Sequence, residues 1–222
     1  MKYYIYISSS KINMLLPQIR SAIKKIPVTE VTFNVGFAGG TFRNEGNNIY
    51  TLVDNLREVN SYIRKNDSVK NLGENAAEGD WISGECGCYT ITLENNLDVA
   101  LFIGEYNGTE FALGGSSKHI IGSQESSSIN IGWSFLPSLL RALNSFNSVE
   151  SRRPLDFYPS WPDAPEQWHN VVSLALANCK KSRFPFSKME FLARILLSHE
   201  EMEKQFYLAT PLYISLYSNM KS

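Results

Sequence analysis

The sequence lacks the features that mark several large classes of protein. Its 222 residues contain only three cysteines, and a small, odd number of cysteines does not indicate a disulfide framework. No apolar run approaches the roughly 20 residues that a membrane-spanning helix needs. Lysine and arginine together number 21 against 22 acidic residues, so the formal net charge is −1. That balance provides no overall attraction for nucleic acid or membranes. We expect no membrane partner and find no strong nucleic-acid signal, although a global sum of charges leaves a local basic patch open.

Signals for export, metal binding and cofactor binding are also missing. Residues 1–7 have neither the basic region nor the long apolar run of a signal peptide. We therefore expect a cytoplasmic protein with reduced thiols. No P-loop pattern is present, and we predict no cofactor. Cys86 and Cys88 would share one face of an alternating strand, while Cys179 and the histidines show no paired spacing. We therefore predict core cysteines rather than a metal site.

Hydrophobic periodicity predicts the elements of the first part of the chain. They are a strand over 2–8, a helix over 11–25 that contains Pro17, a strand over 28–37 and an amphipathic helix over 48–65. Residues 66–80 are polar and contain two glycines, which predicts an exposed loop. Residues 81–122 alternate in the manner of strands and contain Asn107-Gly108, a strong hairpin signal, so they predict an antiparallel meander.

The second half is predicted to be mainly helical, over 134–146, 165–181 and 188–198. Ser187 and Glu190 form a capping box at the start of the last of these helices. A proline-rich connector over 152–165 separates the first two, and a strand closes the chain over 206–217. The fold class that follows is α+β, as one domain over residues 1–222. We expect a mostly antiparallel sheet with helices packed on one face, and the first and last strands as neighbours.

The segment from Gly114 to His119 is the leading candidate site. Adjacent glycines, Gly114 and Gly115, permit positive φ and let backbone amides converge on an anion. Ser116 and Ser117 add hydroxyl groups, and Lys118 adds a point charge suited to phosphate. His119 would donate a hydrogen bond or serve as a general acid or base. The alternative is a glycine bulge between two strands, with His119 hydrogen-bonded inside.

A second candidate is the junction between the first strand and the first helix. Ser8, Ser10 and Lys11 lie there, where the free amides of a helix N-terminus favour anions. Serine is equally a preferred helix cap, so a purely structural role is the alternative. If this junction and the Gly114–His119 segment meet in space, together they would line a pocket for a small anionic molecule.

Three ordered segments also carry a resemblance to a known family. They are Tyr4–Ile19 with its YIYIS start, Leu113–Gly122 with LGGS and His119, and Glu190–Tyr213 with EFLA and TPLY. In this order they resemble domain of unknown function family 7019, over nearly the whole chain. The resemblance implies a bacterial, cytoplasmic protein, and proteins of this kind sometimes occur as modules of signalling or defence systems. It implies no activity.

Three functions are compatible with these residues. The first is a ligand-binding or sensor protein for a small anionic molecule, such as a nucleotide. The second is a phosphodiesterase- or lyase-type enzyme, in which His119 transfers protons and Lys118 stabilises developing negative charge. The third is a protein-protein interaction module that uses exposed aromatic residues such as Trp161 and has no small-molecule site. The sequence favours the first and does not decide whether the protein is an enzyme.

Overall fold

A computed structural model describes residues 2–24, 49–93, 98–122, 135–151 and 167–217. By its internal contacts the chain divides into two compact units. One unit comprises Ser9–Asp67, and the other comprises Met1–Ser8 with Ser68–Ser222. The single domain predicted over residues 1–222 stays a prediction, and each unit is described by itself.

The first unit is helical. Helices α1 (Ser9–Lys24) and α2 (Ile49–Asn66) contact each other and are joined by an Arg20–Glu58 ion pair of 2.9 Å. Both helices are predicted from apolar periodicity, and both predictions are confirmed within two residues at each end. The strand predicted over 28–37 lies outside the described residues.

The second unit contains the remaining helices and all the strands of the described residues. The strands are β1 (Tyr3–Ile7), β2 (Val69–Asn71), β3 (Trp81–Leu93), β4 (Val99–Tyr106), β5 (Thr109–Ser116), β6 (Phe186–Glu201) and β7 (Lys204–Leu216). The helices are α3 (Phe135–Ser151) and α4 (Trp168–Ser182). The α+β class, the meander β3–β4–β5 and the final strand are confirmed.

Five of these strands close into a mixed barrel in the order β3–β4–β5–β7–β6 and back to β3. All these neighbours are antiparallel except β5 and β7, which are parallel. The sheet is therefore a closed barrel and not an open antiparallel sheet. β2 adds to β3 in parallel, and β1 pairs with the second half of β7, beyond the part that β5 covers. The first and last strands are neighbours, as predicted.

The helix predicted over 188–198 is wrong, because this segment forms β6. Met189, Phe191 and Ile195 point into the barrel, and Leu197 packs on its outer side. A strand with apolar residues on both faces gives a continuous apolar run that also fits helical spacing. Glu190 is not part of a capping box, since its carboxylate binds Lys2 and accepts a hydrogen bond from the Tyr213 hydroxyl at 2.9 Å.

The exposed loop predicted over 66–80 is also partly wrong. Val69–Asn71 forms β2, and Leu72 and Ala76 are buried in the barrel interior. A short strand with so few apolar residues gives too little periodicity to be recognised in the sequence.

Two apolar clusters make up the core of this unit. The interior cluster contains the inward side chains of the barrel strands, including Tyr6 from β1. The outer cluster lies between the barrel wall and helices α3 and α4, which confirms that these helices pack on one side of the strands. None of the described helices combines the length and apolar composition that a membrane crossing requires.

Candidate functional site

The predicted anion-binding segment lies where β5 ends. We call residues 116–119 the β5 turn; its last three residues, Ser117–His119, form a single 3₁₀ turn. The Ser117 amide donates to the Asp98 carbonyl at 2.8 Å, and the Ile121 amide donates to the Ile5 carbonyl at 3.0 Å. These bonds anchor the turn to the residue before β4 on one side and to β1 on the other. Its backbone is therefore held in one geometry.

Gly114 and Gly115 are strand residues, and neither has a positive φ. A Cβ atom on Gly114 would lie 2.1 Å from Leu139 Cδ1, and one on Gly115 would lie 1.9 Å from the Tyr6 hydroxyl oxygen. The glycines therefore let α3 and β1 approach the β5 backbone closely, which only a residue without Cβ permits. The glycine bulge, which is the structural alternative for this segment, is absent, because the pairing of β4 with β5 continues without a register shift to Ser116, and both glycines are buried.

Tyr6 lies between the two candidate segments, close to Ser8 of one and in contact with His119 of the other. Its ring is fully buried and meets the ring of His119 edge to face, with centroids 5.8 Å apart. Burial raises the pKa of Tyr6 above its usual range, and the nearby Ser8 side chain partly opposes that rise. Ser8 is itself buried, and its amide donates to the Leu212 carbonyl at 2.9 Å. Ser8 is therefore part of the buried structure between β1 and β7 and does not offer a surface contact.

Ser10 and Lys11 belong to the helical unit, in the first turn of α1. Ser10 is exposed, and burial lowers the pKa of Lys11 to about 8. Their contribution to an anion site stays a prediction.

A second constellation lies at the end of the β6–β7 hairpin, and we call His169, His199 and Glu201 the histidine cluster. His169 is in the first turn of α4, while His199 and Glu201 are two residues apart on β6 and so share a face. The two imidazole rings are stacked, with centroids 4.1 Å apart and an interplanar angle of 12°. His169 Nε2 lies 3.3 Å from Glu201 Oε2.

The electrostatics of the histidine cluster favour a neutral His169. Its ring is only 6% exposed, and burial, followed by the nearby His199, lowers its pKa, while Glu201 acts in the opposite direction. His199 is half-buried and Glu201 is exposed. His169 Nδ1 has no hydrogen-bond partner among the described residues, although buried polar atoms normally have one.

A buried carboxylate lies next to this cluster. Glu110 of β5 accepts hydrogen bonds from Ser173 Oγ of α4 and from Lys204 Nζ of β7, each at 2.5 Å. Lys204 is the cross-strand neighbour of Glu201. Because its ammonium group binds Glu110, it does not neutralise Glu201 through an ion pair of its own.

The other face of the same hairpin borders a cavity of about 200 Å³. Glu200, Gln205 and Tyr207 line it, together with Asn75 and Ser198, and His199 of the histidine cluster also borders it. The Tyr207 hydroxyl accepts a hydrogen bond from the Ala76 amide at 3.1 Å, so the cavity wall is fixed where this side chain meets the segment after β2.

The remaining sequence candidates have structural surroundings. Cys86 and Cys88 share the interior face of β3, as predicted, with their sulfur atoms 4.0 Å apart. The hydrogen bond with Cys86, and then burial, raise the pKa of Cys88. Trp168 is buried beside α3, whereas Trp161 lies outside the described residues.

No role is predicted for His169 and His199 from the sequence, because residues 188–198 are expected to be helical. Glu200 and Glu201 are likewise expected at a solvated helix end. The strand pattern of 206–217 could have indicated the cluster. A strand there needs a pairing partner, and the apolar segment before it can pair with it through a short turn.

Comparison with known proteins places the whole described fold in one family. The sequence model of a family of unknown function, DUF7019, matches residues 2–218. The chain belongs to this family. DUF7019 thus covers both the helical unit and the barrel unit, as the resemblance of the three sequence segments implies. No curated protein and no solved structure matches the chain.

Proposed function

We propose that this DUF7019 protein binds a small anionic molecule, with nucleotides as the class to test first, and that the β5 turn is the contact surface. The supporting observation is that Ser116, Ser117, Lys118 and His119 are four consecutive polar side chains outside the core, on a backbone anchored at both ends.

The chemistry of these side chains suits an anion. Lys118 is exposed and basic, and the hydroxyls of Ser116 and Ser117 and the His119 imidazole are hydrogen-bonding groups in the same four-residue segment. A turn that is already ordered loses little conformational entropy when a ligand binds, which increases affinity. Gly114 and Gly115 act in this proposal by holding the turn in place, and neither they nor the buried Ser8 needs to touch the ligand.

Native mass spectrometry of the purified protein, followed by denaturing extraction, identifies any anion that co-purifies with it. Calorimetric titration with inorganic phosphate, AMP and ATP then measures affinity directly. We expect Lys118→Ala to weaken binding of the best probe at least tenfold, since hydrogen bonds to charged groups contribute about 1.5–3 kcal/mol. A hydrolysed or cyclised probe would instead indicate the enzyme hypothesis and would make His119→Ala the decisive variant.

Lys181→Ala is the matched control, because Lys181 is an exposed lysine in the last turn of α4. Its removal changes the net charge equally and leaves the β5 turn intact. Equal affinities of the two variants would assign any binding to general electrostatics and contradict a site at the β5 turn. Protein that carries no anion and binds none of the three probes would contradict the proposed function itself.

A further inference from the structure

We propose that His169, His199 and Glu201 bind a divalent transition metal ion of the zinc class. This site is separate from the β5 turn and does not depend on the anion-binding proposal. The ligand atoms of the three residues all lie within 4.8 Å of one another, the one such group of histidine, cysteine and acidic residues in the described part of the chain.

The donor set determines the class of metal. Two imidazoles with one carboxylate suit Zn²⁺, Co²⁺ or Ni²⁺, whereas Mg²⁺ and Ca²⁺ prefer all-oxygen sites. Two histidines and one glutamate are also a known catalytic zinc ligand set, in which the fourth position stays open to water or substrate. Only three histidines occur in the whole sequence, and two of them meet here.

The observed distances are close to those of a coordination sphere. Zinc bonds of about 2.0–2.1 Å in a tetrahedron place neighbouring ligand atoms about 3.3–3.4 Å apart. The 3.3 Å between His169 Nε2 and Glu201 Oε2 already matches that edge. The stacked rings are parallel, so His199 has to rotate for both imidazoles to face one ion. His199 is half-buried, so only part of its surface is covered by packing.

The packing of the protein holds the first ligand in place. His169 is only 6% exposed and lies in the first turn of α4, so its ring has a fixed position beside β6. Its Nδ1 atom has no protein partner among the described residues, so no hydrogen bond of that nitrogen has to be broken when the ring adjusts to an ion. Lys204 binds Glu110 instead of Glu201, which leaves the Glu201 carboxylate beside the histidines.

The test is a titration of the full chain with Co²⁺ and Zn²⁺. We expect one equivalent of Co²⁺ to give the visible absorption of a low-coordinate site, and excess Zn²⁺ to abolish it. We expect His199→Ala and Glu201→Gln each to lower the affinity at least tenfold, because loss even of groups that only support a ligand costs 10–100-fold. Glu200→Gln is the matched control, since Glu200 is the adjacent residue on the opposite face of β6.

Three outcomes would overturn the proposal. The first is that neither ion binds at micromolar concentration. The second is that the Glu201→Gln and Glu200→Gln proteins bind with equal affinity. The third is a sulfur-to-cobalt charge-transfer band, which would assign the ion to Cys86 and Cys88. Circular dichroism confirms that each variant is folded, and His199→Ala is the preferred variant because its side chain is not part of the core. Lys118→Ala should bind Co²⁺ normally, so the failure of one proposal leaves the other unaffected.

Discussion

At the scale of single residues, the adjacent glycines show how one pattern can have two physical causes. A Gly-Gly pair beside serine and lysine is typical of an anion-binding loop, yet Gly114 and Gly115 lie in β5 with buried neighbours on both faces. Close packing at these two positions requires residues without Cβ atoms. Ser116 to His119, which follow the glycines, carry the polar groups outside the core, so in this proposal the glycines support the turn and the later residues contact the ligand.

This interpretation predicts a coupling between Gly114 and Leu139. Gly114→Ala places a methyl group against the buried Leu139 side chain, and overpacking of this kind costs about 1–3 kcal/mol of unfolding free energy. Leu139→Ala alone should cost about 2–5 kcal/mol. The double variant should lose less than the sum, because removal of the leucine makes room for the methyl group. Urea unfolding of the four proteins measures the coupling, expected at about 0.5–3 kcal/mol.

Strict additivity of the two substitutions would contradict this account of Gly114. It would mean that the protein accommodates the added methyl group without displacing Leu139.

At the scale of secondary structure elements, the β6–β7 hairpin is closed by an unfavourable turn. Met202 and Glu203 connect the strands with φ values of 48° and 65°. Positive φ at both central positions is the geometry of a type I′ turn, which favours Asn-Gly. Neither methionine nor glutamate adopts this conformation readily, and each such residue costs on the order of 1 kcal/mol.

We therefore expect the double substitution Met202→Asn with Glu203→Gly to stabilise the protein by about 1 kcal/mol. Met202 is 94% exposed, so its replacement removes little packing. The midpoint of urea unfolding should rise without a change in slope. Met202→Leu is the control, since leucine keeps the apolar side chain without favouring positive φ. An equal midpoint in all three proteins would show that the turn conformation carries no cost.

The same hairpin shows what can be predicted from the sequence. α2, the Asn107-Gly108 hairpin and β7 are predicted correctly. α2 has one apolar face, Asn107-Gly108 is an unambiguous turn, and the aliphatic residues of β7 alternate in sequence with tyrosine and serine although both faces of the strand are buried. β6 is not predicted correctly, since burial on both of its faces removes the alternation that identifies a strand. The wrong assignment of β6 also hides a candidate site. The β5 turn is formed by consecutive residues and can be located in the sequence, whereas the histidine cluster can be recognised only when β6 is known to pair with β7.

At the scale of the whole barrel, closure of five strands leaves a narrow interior. Phe111 and Phe191 meet there with ring centroids 5.5 Å apart. A Cβ atom on Gly84 would lie 2.7 Å from Phe191 Cζ, and one on Gly104 would lie 2.7 Å from Phe111 Cζ. The two large rings therefore fit because the neighbouring strands β3 and β4 carry glycines opposite them. Side-chain volumes from different strands have to match around the closed ring.

This mutual dependence predicts that the barrel unfolds as one unit. Phe191→Ala leaves a cavity inside it and should cost about 3–5 kcal/mol of unfolding free energy. Hydrogen exchange measures the opening free energy strand by strand. We expect the slowest amides of β3, β4, β5, β6 and β7 to lose equal protection, because the interior side chains of all five strands pack in one cluster that contains Phe191.

Phe186→Ala is the matched control, because it removes a phenylalanine from the same strand. Phe186 lies at the start of β6 and is 61% exposed, so its loss opens no interior cavity and should cost much less. Protection lost only in β6 and its neighbours β3 and β7 would contradict closure as the source of cooperativity. That result would mean that β4 and β5, covered by α3 and α4, remain folded when the interior of the barrel opens.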